Sequence, residues 1–155
     1  MITFLTGNIF DSTTEALVNP VNCKGVMGAG LAAQFKRRFP ANFTAYKQVC
    51  DQNGLVPGKI FVFTNPQTPP TNHKYIINFP TKDHWKHPSS YHYISDGLIT
   101  LAEDIHQNKL SSIAIPALGA GCGGLDWVVV KAMLNEYLSG LSNIRIEIYE
   151  PTYPA

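Results

Sequence analysis

The stretch Glu15-Ala16-Leu17-Val18-Asn19-Pro20-Val21-Asn22-Cys23-Lys24-Gly25-Val26-Met27-Gly28-Ala29-Gly30-Leu31-Ala32-Ala33-Gln34-Phe35 decides the fold, because it passes from strand to glycine loop to helix without a break. Glu15 to Val18 reads as a short buried strand, and Leu31 to Phe39 reads as a helix. Between them the backbone N–H groups of Val26 to Gly30 are closely spaced beside a helix N-terminus, an arrangement that holds phosphate. A second loop of the same kind, Gly119-Ala120-Gly121-Cys122-Gly123-Gly124, follows the apolar run Ile113 to Pro116 and precedes another helical pattern. Two such units predict a cleft for a nucleotide-like diphosphate.

Working outward, strands and helices alternate along the rest of the chain. Ile2 to Leu5 reads as a strand, with a turn at Asn8, Asp11, Ser12 and Thr13 before the next. Pro40 begins a second helix that runs to about Asp51, closed by Asn53-Gly54 and Pro57-Gly58. Ile60 to Thr64 and Tyr75 to Phe79 are strands by their Ile, Val, Phe and Tyr content, joined by a loop with Pro66, Pro69 and Pro70. Ile94, Leu98, Leu101 and Ile105 fall on one face of a helix within Ser89 to Gln107. Asp126 is a predicted N-cap for a helix with Val130, Leu134, Tyr137, Leu138 and Leu141 inward, and Ile144 to Tyr149 is the last strand. About six strands and four helices in alternation predict a three-layer α/β/α sandwich with a mixed, largely parallel sheet, as a single domain over residues 1–155.

Composition narrows the class. With 155 residues, 45% of them hydrophobic, the chain can bury a core without covalent staples. Cys23, Cys50 and Cys122 make no disulfide framework and no CxxC pair, and no signal-like segment is read at the start, so a reducing, cytoplasmic setting is expected. A net charge of +1 supplies no general attraction for nucleic acid, which would need a local patch or a specific group. Several motifs are excluded. There is no GxxxxGK[ST], and Met27 to Gly30 lacks the dinucleotide fingerprint. His84, His87 and His92 have no zinc spacing, so no metal and no cofactor are expected. Cys122 fails the nucleophile-elbow spacing at Ala120.

Four segments carry a wider pattern: Thr6-Gly7-Asn8-Ile9, Ala16-Leu17-Val18-Asn19-Pro20-Val21-Asn22, Gly28-Ala29-Gly30-Leu31-Ala32, and Ile115-Pro116-Ala117-Leu118-Gly119-Ala120-Gly121. In order and along nearly the whole chain they resemble the macrodomain family of ADP-ribose binders. Val26 to Lys36 and Thr81-Lys82 are most similar to the branch that includes the terminal ADP-ribose protein glycohydrolase and the DarG antitoxins. DarG-type members remove ADP-ribose that a DarT toxin attaches to thymine bases in single-stranded DNA. The resemblance implies the same hydrolysis here, with ADP-ribose and ADP-ribosylated single-stranded DNA as partners. It also implies a DarT-type toxin as partner, through a C-terminal domain outside these residues.

Carried over residue by residue, the resemblance assigns Asn8 and Ile9 to the adenine, where many relatives have Asp in place of Asn8. An amide oxygen can accept the same hydrogen bond as that carboxylate. Met27, Gly28, Ala29 and Gly30, with Leu118, Gly119, Ala120, Gly121, Cys122, Gly123 and Gly124, would wrap the diphosphate and proximal ribose. Thr81 would border the ligand. Asn22 would meet the distal ribose and assist catalysis, with an Asx turn before the glycine loop as the competing reading. Tyr149 is either a wall of the adenine pocket or a buried strand residue.

Lys82 matches the branch's catalytic lysine. An ammonium can donate a proton to the departing base, and a neutral amine can attack the anomeric carbon. The protein glycohydrolase uses a carboxylate in its second glycine loop where this chain has Gly123, which favours the acid route. Trp85 and Lys86, within Lys82-Asp83-His84-Trp85-Lys86-His87, mix an aromatic ring with cations as single-strand binding surfaces do, and an exposed loop with Trp85 packed inward is the competing reading. Lys36, Arg37 and Arg38 are read as a solvated helix face. Two other activities stay open: a non-catalytic ADP-ribose reader, and a phosphatase or deacylase acting on ADP-ribose 1″-phosphate or ADP-ribosylated protein.

Overall fold

A computed structural model describes residues 1–66 and 72–152. Pro69 and Pro70 of the predicted proline-rich loop lie outside the described residues. The elements run β1 (Ile2–Leu5), a 3-10 turn (Ile9–Asp11), β2 (Ala16–Val21), α1 (Gly30–Arg38), α2 (Pro40–Asp51), β3 (Phe61–Thr64), β4 (Tyr75–Pro80), α3 (Tyr91–Asn108), β5 (Ser112–Ile115), α4 (Trp127–Leu138) and β6 (Arg145–Tyr149). One six-stranded sheet has the order β1-β6-β5-β2-β4-β3. All its pairings are parallel except β3 with β4. The predicted mixed, largely parallel sheet is therefore present.

Side-chain alternation along each strand sorts the core into two faces. Ala16, Val18, Ile77, Phe79, Ile113, Ile115, Ile146 and Ile148 pack with Ile94, Leu98, Leu101 and Ile105 of α3 and Val130, Leu134 and Leu138 of α4. On the other face Leu17, Ile76 and Ala114 meet Phe35 and Phe39, while Val21, Cys23 and Met27 meet Tyr46 and Cys50 of α2. The helix termini follow local chemistry. Asp126 accepts from Val128 N at the start of α4, as predicted, and Ser90 accepts from His92 N at the start of α3.

One boundary differs in a way that builds the site. Glu15 to Val18 understates β2, which continues through Pro20 to Val21. A proline normally argues against a central strand, because it lacks the N–H a neighbour needs. Here Val21 turns its carbonyl toward β4, accepting from Thr81 N at 2.9 Å, so alternation turns the Pro20 backbone toward β5. The β2–β5 pairing ends at Leu17 opposite Ala114, leaving no partner for Pro20 to disappoint. The two strands splay beyond that point, and a crevice opens at their carboxyl ends.

Phe79, near the end of β4, is fully buried against Gly97 of α3, where a β-carbon would overlap the phenyl ring. Gly97→Ala should destabilise the fold despite alanine's better helix propensity, since overpacking costs about 1–3 kcal/mol and the propensity returns only about 1. A melting temperature lower by about 2–8 °C is expected for a domain of this size. An unchanged melt by circular dichroism would contradict the close contact.

Candidate functional site

At the carboxyl ends of the parallel strands lies a cleft of about 940 Å³. Its walls come from Gly7 to Ile9 after β1, Pro20 and Val21 at the end of β2 with Asn22 and Val26 beyond it, Thr81 and Lys82 after β4, Pro116 and Ala117 after β5, and Tyr149 and Glu150 at the end of β6. The two glycine loops face each other across it: a β-carbon on Gly30 would lie 3.4 Å from the Cys122 sulfur.

The first loop is organised by Asn22. Its Nδ2 donates to Val26 O at 2.7 Å, and its Oδ1 accepts from Lys24 N at 2.9 Å and from the Tyr46 hydroxyl at 3.0 Å. Tyr46 also approaches Asn22 O at 2.7 Å. Burial, together with Cys50 alongside, raises the phenol's pKa far above its ordinary value, so it remains a proton donor. Asn22 lines the cleft but spends its oxygen on the loop, the Asx-turn arrangement. Gly28, Ala29 and Gly30 border the cleft. Met27 does not: its side chain is 3% exposed, packs beside Tyr46 and Cys50, and lies 3.9 Å from the Nδ2 of buried Asn19. The flexible thioether fills that core beneath the loop instead.

The second loop folds tightly on itself. Gly119 adopts φ +71°, Leu125 N donates to Gly119 O at 2.9 Å, and Ser89 N donates to Gly123 O at 3.0 Å. A β-carbon at Gly123 would lie 2.5 Å from Gly119 O, so this turn admits no side chain there and hence no carboxylate. Gly119, Gly121, Cys122 and Gly123 line the cleft. Among the described residues the amides of Gly121, Cys122 and Gly123 donate to no protein acceptor, which leaves them available to an anion. Leu118, Ala120 and Gly124 do not border it. Leu118 is fully buried, Ala120 packs on the same core, and Gly124 N turns inward to Gly121 O.

Lys82 is half-buried on the cleft wall, with its ammonium 3.5 Å from Trp85 O. Its backbone is fixed from both sides: Thr81 N donates to Val21 O, and Cys23 N donates to Asp83 O, both at 2.9 Å. Trp85 borders the cleft and is 47% exposed, so the competing reading with Trp85 packed inward is not what the chain adopts; Lys86 is exposed and does not reach the cleft. Lys36 and Arg38 lie over the rings of Phe43 and Phe10.

At the opposite end Asn8 caps the 3-10 turn, its Oδ1 accepting from Phe10 N at 2.9 Å, and Ile9 is 4% exposed beside it. Tyr149 does wall the cleft, its hydroxyl donating to Glu147 at 3.3 Å. Sequence reasoning missed Glu150, whose carboxylate accepts from the Lys131 ammonium at 3.0 Å and Trp127 Nε1 at 3.1 Å; these bonds hold it below the usual carboxylate range. Pro116, Ala117 and Glu150 were findable, since Pro116 ends a predicted strand and the other two follow directly on one.

Residues 18–134 match the family model described as the Macro domain. A "DNA ADP-ribosyl glycohydrolase" of Thermus aquaticus is 46% identical over 151 residues, covering 97% of this chain and 41% of that protein. The solved macrodomain of Mycobacterium tuberculosis DarG is 47% identical with a TM-score of 0.94, covering 98% of this chain and 99% of that one. Thermosipho africanus DarTG in complex with ADP-ribose is 32% identical with a TM-score of 0.91, covering 99% of this chain and 43% of that one. The chain thus spans about two fifths of the curated relative's length.

Proposed function

This chain belongs to the Macro domain family, and from that premise we propose that it removes ADP-ribose from thymine bases of single-stranded DNA, acting as antitoxin to a DarT-type DNA ADP-ribosyltransferase. The observation that carries the reading is the half-buried Lys82, fixed by backbone hydrogen bonds on the wall of a cleft whose other side is a glycine loop with unused amides. Relatives named DNA ADP-ribosyl glycohydrolase match 97% and 98% of this chain, which supports it further. The cleft takes the ADP-ribose, with its diphosphate against Gly28 to Gly30 and Gly121 to Gly123. A reducing, cytoplasmic setting fits such a reaction, and among the described residues no helix is long and apolar enough to cross a membrane.

The bond to be broken joins the anomeric carbon of the distal ribose to a base nitrogen. Its electron pair leaves on the base, the sugar gains positive charge, and water adds hydroxide to the anomeric carbon while releasing a proton. Lys82 as an ammonium donates a hydrogen bond or proton to the departing base. The tight turn at Gly123 favours this acid route, because it offers no carboxylate to complete a lysine adduct. Asn22 holds the loop and its ribose-facing edge in register.

One assay tests the reading. Incubating the protein with a thymine-ADP-ribosylated oligonucleotide, ADP-ribosylated serine and glutamate peptides, and ADP-ribose 1″-phosphate should release ADP-ribose from the oligonucleotide fastest. Preferential loss from the peptides or the phosphate would replace the substrate. Binding without turnover of any of them would leave an ADP-ribose reader.

A further inference from the structure

The segment between β4 and α3 is held at both ends, the far end by Ser89 N donating to Gly123 O at 3.0 Å. At the near end Thr81 is bound to the last residue of β2 and Asp83 to the loop beyond it by backbone hydrogen bonds, and the Lys24 ammonium lies 3.7 Å from the Asp83 carboxylate. Among the described residues, the hydrogen bonds and ring contacts of His84 to His87 all stay within the segment. His84 stacks on Trp85 at 5.2 Å and 28°, and the His87 ring lies 5.1 Å from His84. Lys86 N donates to His84 Nδ1, His87 N donates to His84 O, and the Lys86 ammonium sits 5.1 Å over the indole. The result is a row of flat rings leading away from the cleft, with Trp85 at its inner end and nearly half in water. Trp127, by contrast, is 9% exposed and hydrogen-bonded to Glu150.

Resting on the glycohydrolase reading above, we infer that this row is a stacking shelf for the nucleobase next to the modified thymine, with the indole of Trp85 as its platform. Lys82 and the half-exposed Trp85 both line the cleft, so a strand leaving the reacting base at Lys82 crosses the indole next. The Lys86 ammonium is a movable placeholder. An exposed cation over a ring is worth about 2- to 5-fold in an equilibrium, whereas a base on an aromatic side chain is worth about 5- to 150-fold. The base displaces the ammonium, which turns to the flanking phosphate. The shelf has no hydrogen-bonding groups matched to one base, so it reads the presence of a strand rather than its sequence.

The test uses calorimetry in a Lys82→Ala background, which stops turnover. Free ADP-ribose, ADP-ribosyl-thymidine and a thymine-ADP-ribosylated oligonucleotide are titrated into that protein and into the same protein with Trp85→Ala or Trp85→Phe. The oligonucleotide should bind more tightly than the modified nucleoside. Trp85→Ala should cut that advantage at least about fivefold, Trp85→Phe should keep part of it, and ADP-ribose affinity should stay constant. With Lys82 intact, Trp85→Ala should raise KM for the oligonucleotide and leave kcat. An advantage that survives Trp85→Ala, or an equal loss for ADP-ribose itself, overturns the shelf. Failure of the protein with Lys82 intact to release ADP-ribose, with a Trp85-dependent advantage still present, would overturn the glycohydrolase reading and leave the shelf standing.

Discussion

Replacing Lys82 with alanine is expected to slow release of the modified thymine at least about a hundredfold, within the range that acid–base groups supply, while ADP-ribose affinity changes little. The split follows from how the residue is held. Thr81 N, Lys82 N and the carbonyl of Asp83 make the hydrogen bonds that fix this segment, and none of them uses the Lys82 side chain. Truncation therefore removes the ammonium and its contact with Trp85 O without loosening the wall. Both glycine loops and the Asn22 staple remain to hold the ligand. Rates under single turnover and calorimetry on the same preparation check both halves. If the variant strips modified thymine as fast as the parent, the chemistry rests on positioning and water alone. Borohydride trapping of a covalent adduct on Lys82 in the parent would overturn the acid route.

The path from sequence to site was readable wherever one residue type serves one physical need. Short apolar, β-branched and aromatic runs located all six strands, and the N-cap at Asp126 and the proline at the start of α2 located helix ends, because these depend on neighbours in the chain. The extension of β2 through Pro20 was not legible, since it depends on β5 ceasing to pair at Ala114, almost a hundred positions away. The same division runs through the cleft. The glycine loops announced themselves, but which of their residues face the ligand is decided by packing. Met27 and Leu118 are apolar and find the core, and Gly123 is glycine because Gly119 O lies where its side chain would be. The half-exposed Trp85 has no local signature, because an aromatic in a polar loop turns in or out according to what the fold leaves beside it.

Gly121→Glu should abolish ADP-ribose binding in a protein that still folds, and the second loop's geometry explains why this position gives a clean result. A β-carbon at Gly123 would collide with backbone, and Gly119 holds a positive φ, so substitutions at either would disrupt the turn itself. At Gly121 a β-carbon meets nothing within 4 Å, and no positive φ is required. The turn therefore accepts a side chain, and the side chain enters the cleft that Gly121 lines. There a carboxylate competes for the unused amides and repels the diphosphate they would bind. An affinity loss of at least about a hundredfold is expected, equivalent to about 2.7 kcal/mol, with stability within about 0.5 kcal/mol of the parent, as for surface changes. Gly121→Ala, adding bulk without charge, should lose far less. Lys82→Ala stops cutting and spares holding, whereas Gly121→Glu stops holding and with it every reaction the cleft performs. Calorimetry showing unchanged ADP-ribose affinity in the folded Gly121→Glu protein would move the diphosphate out of this loop.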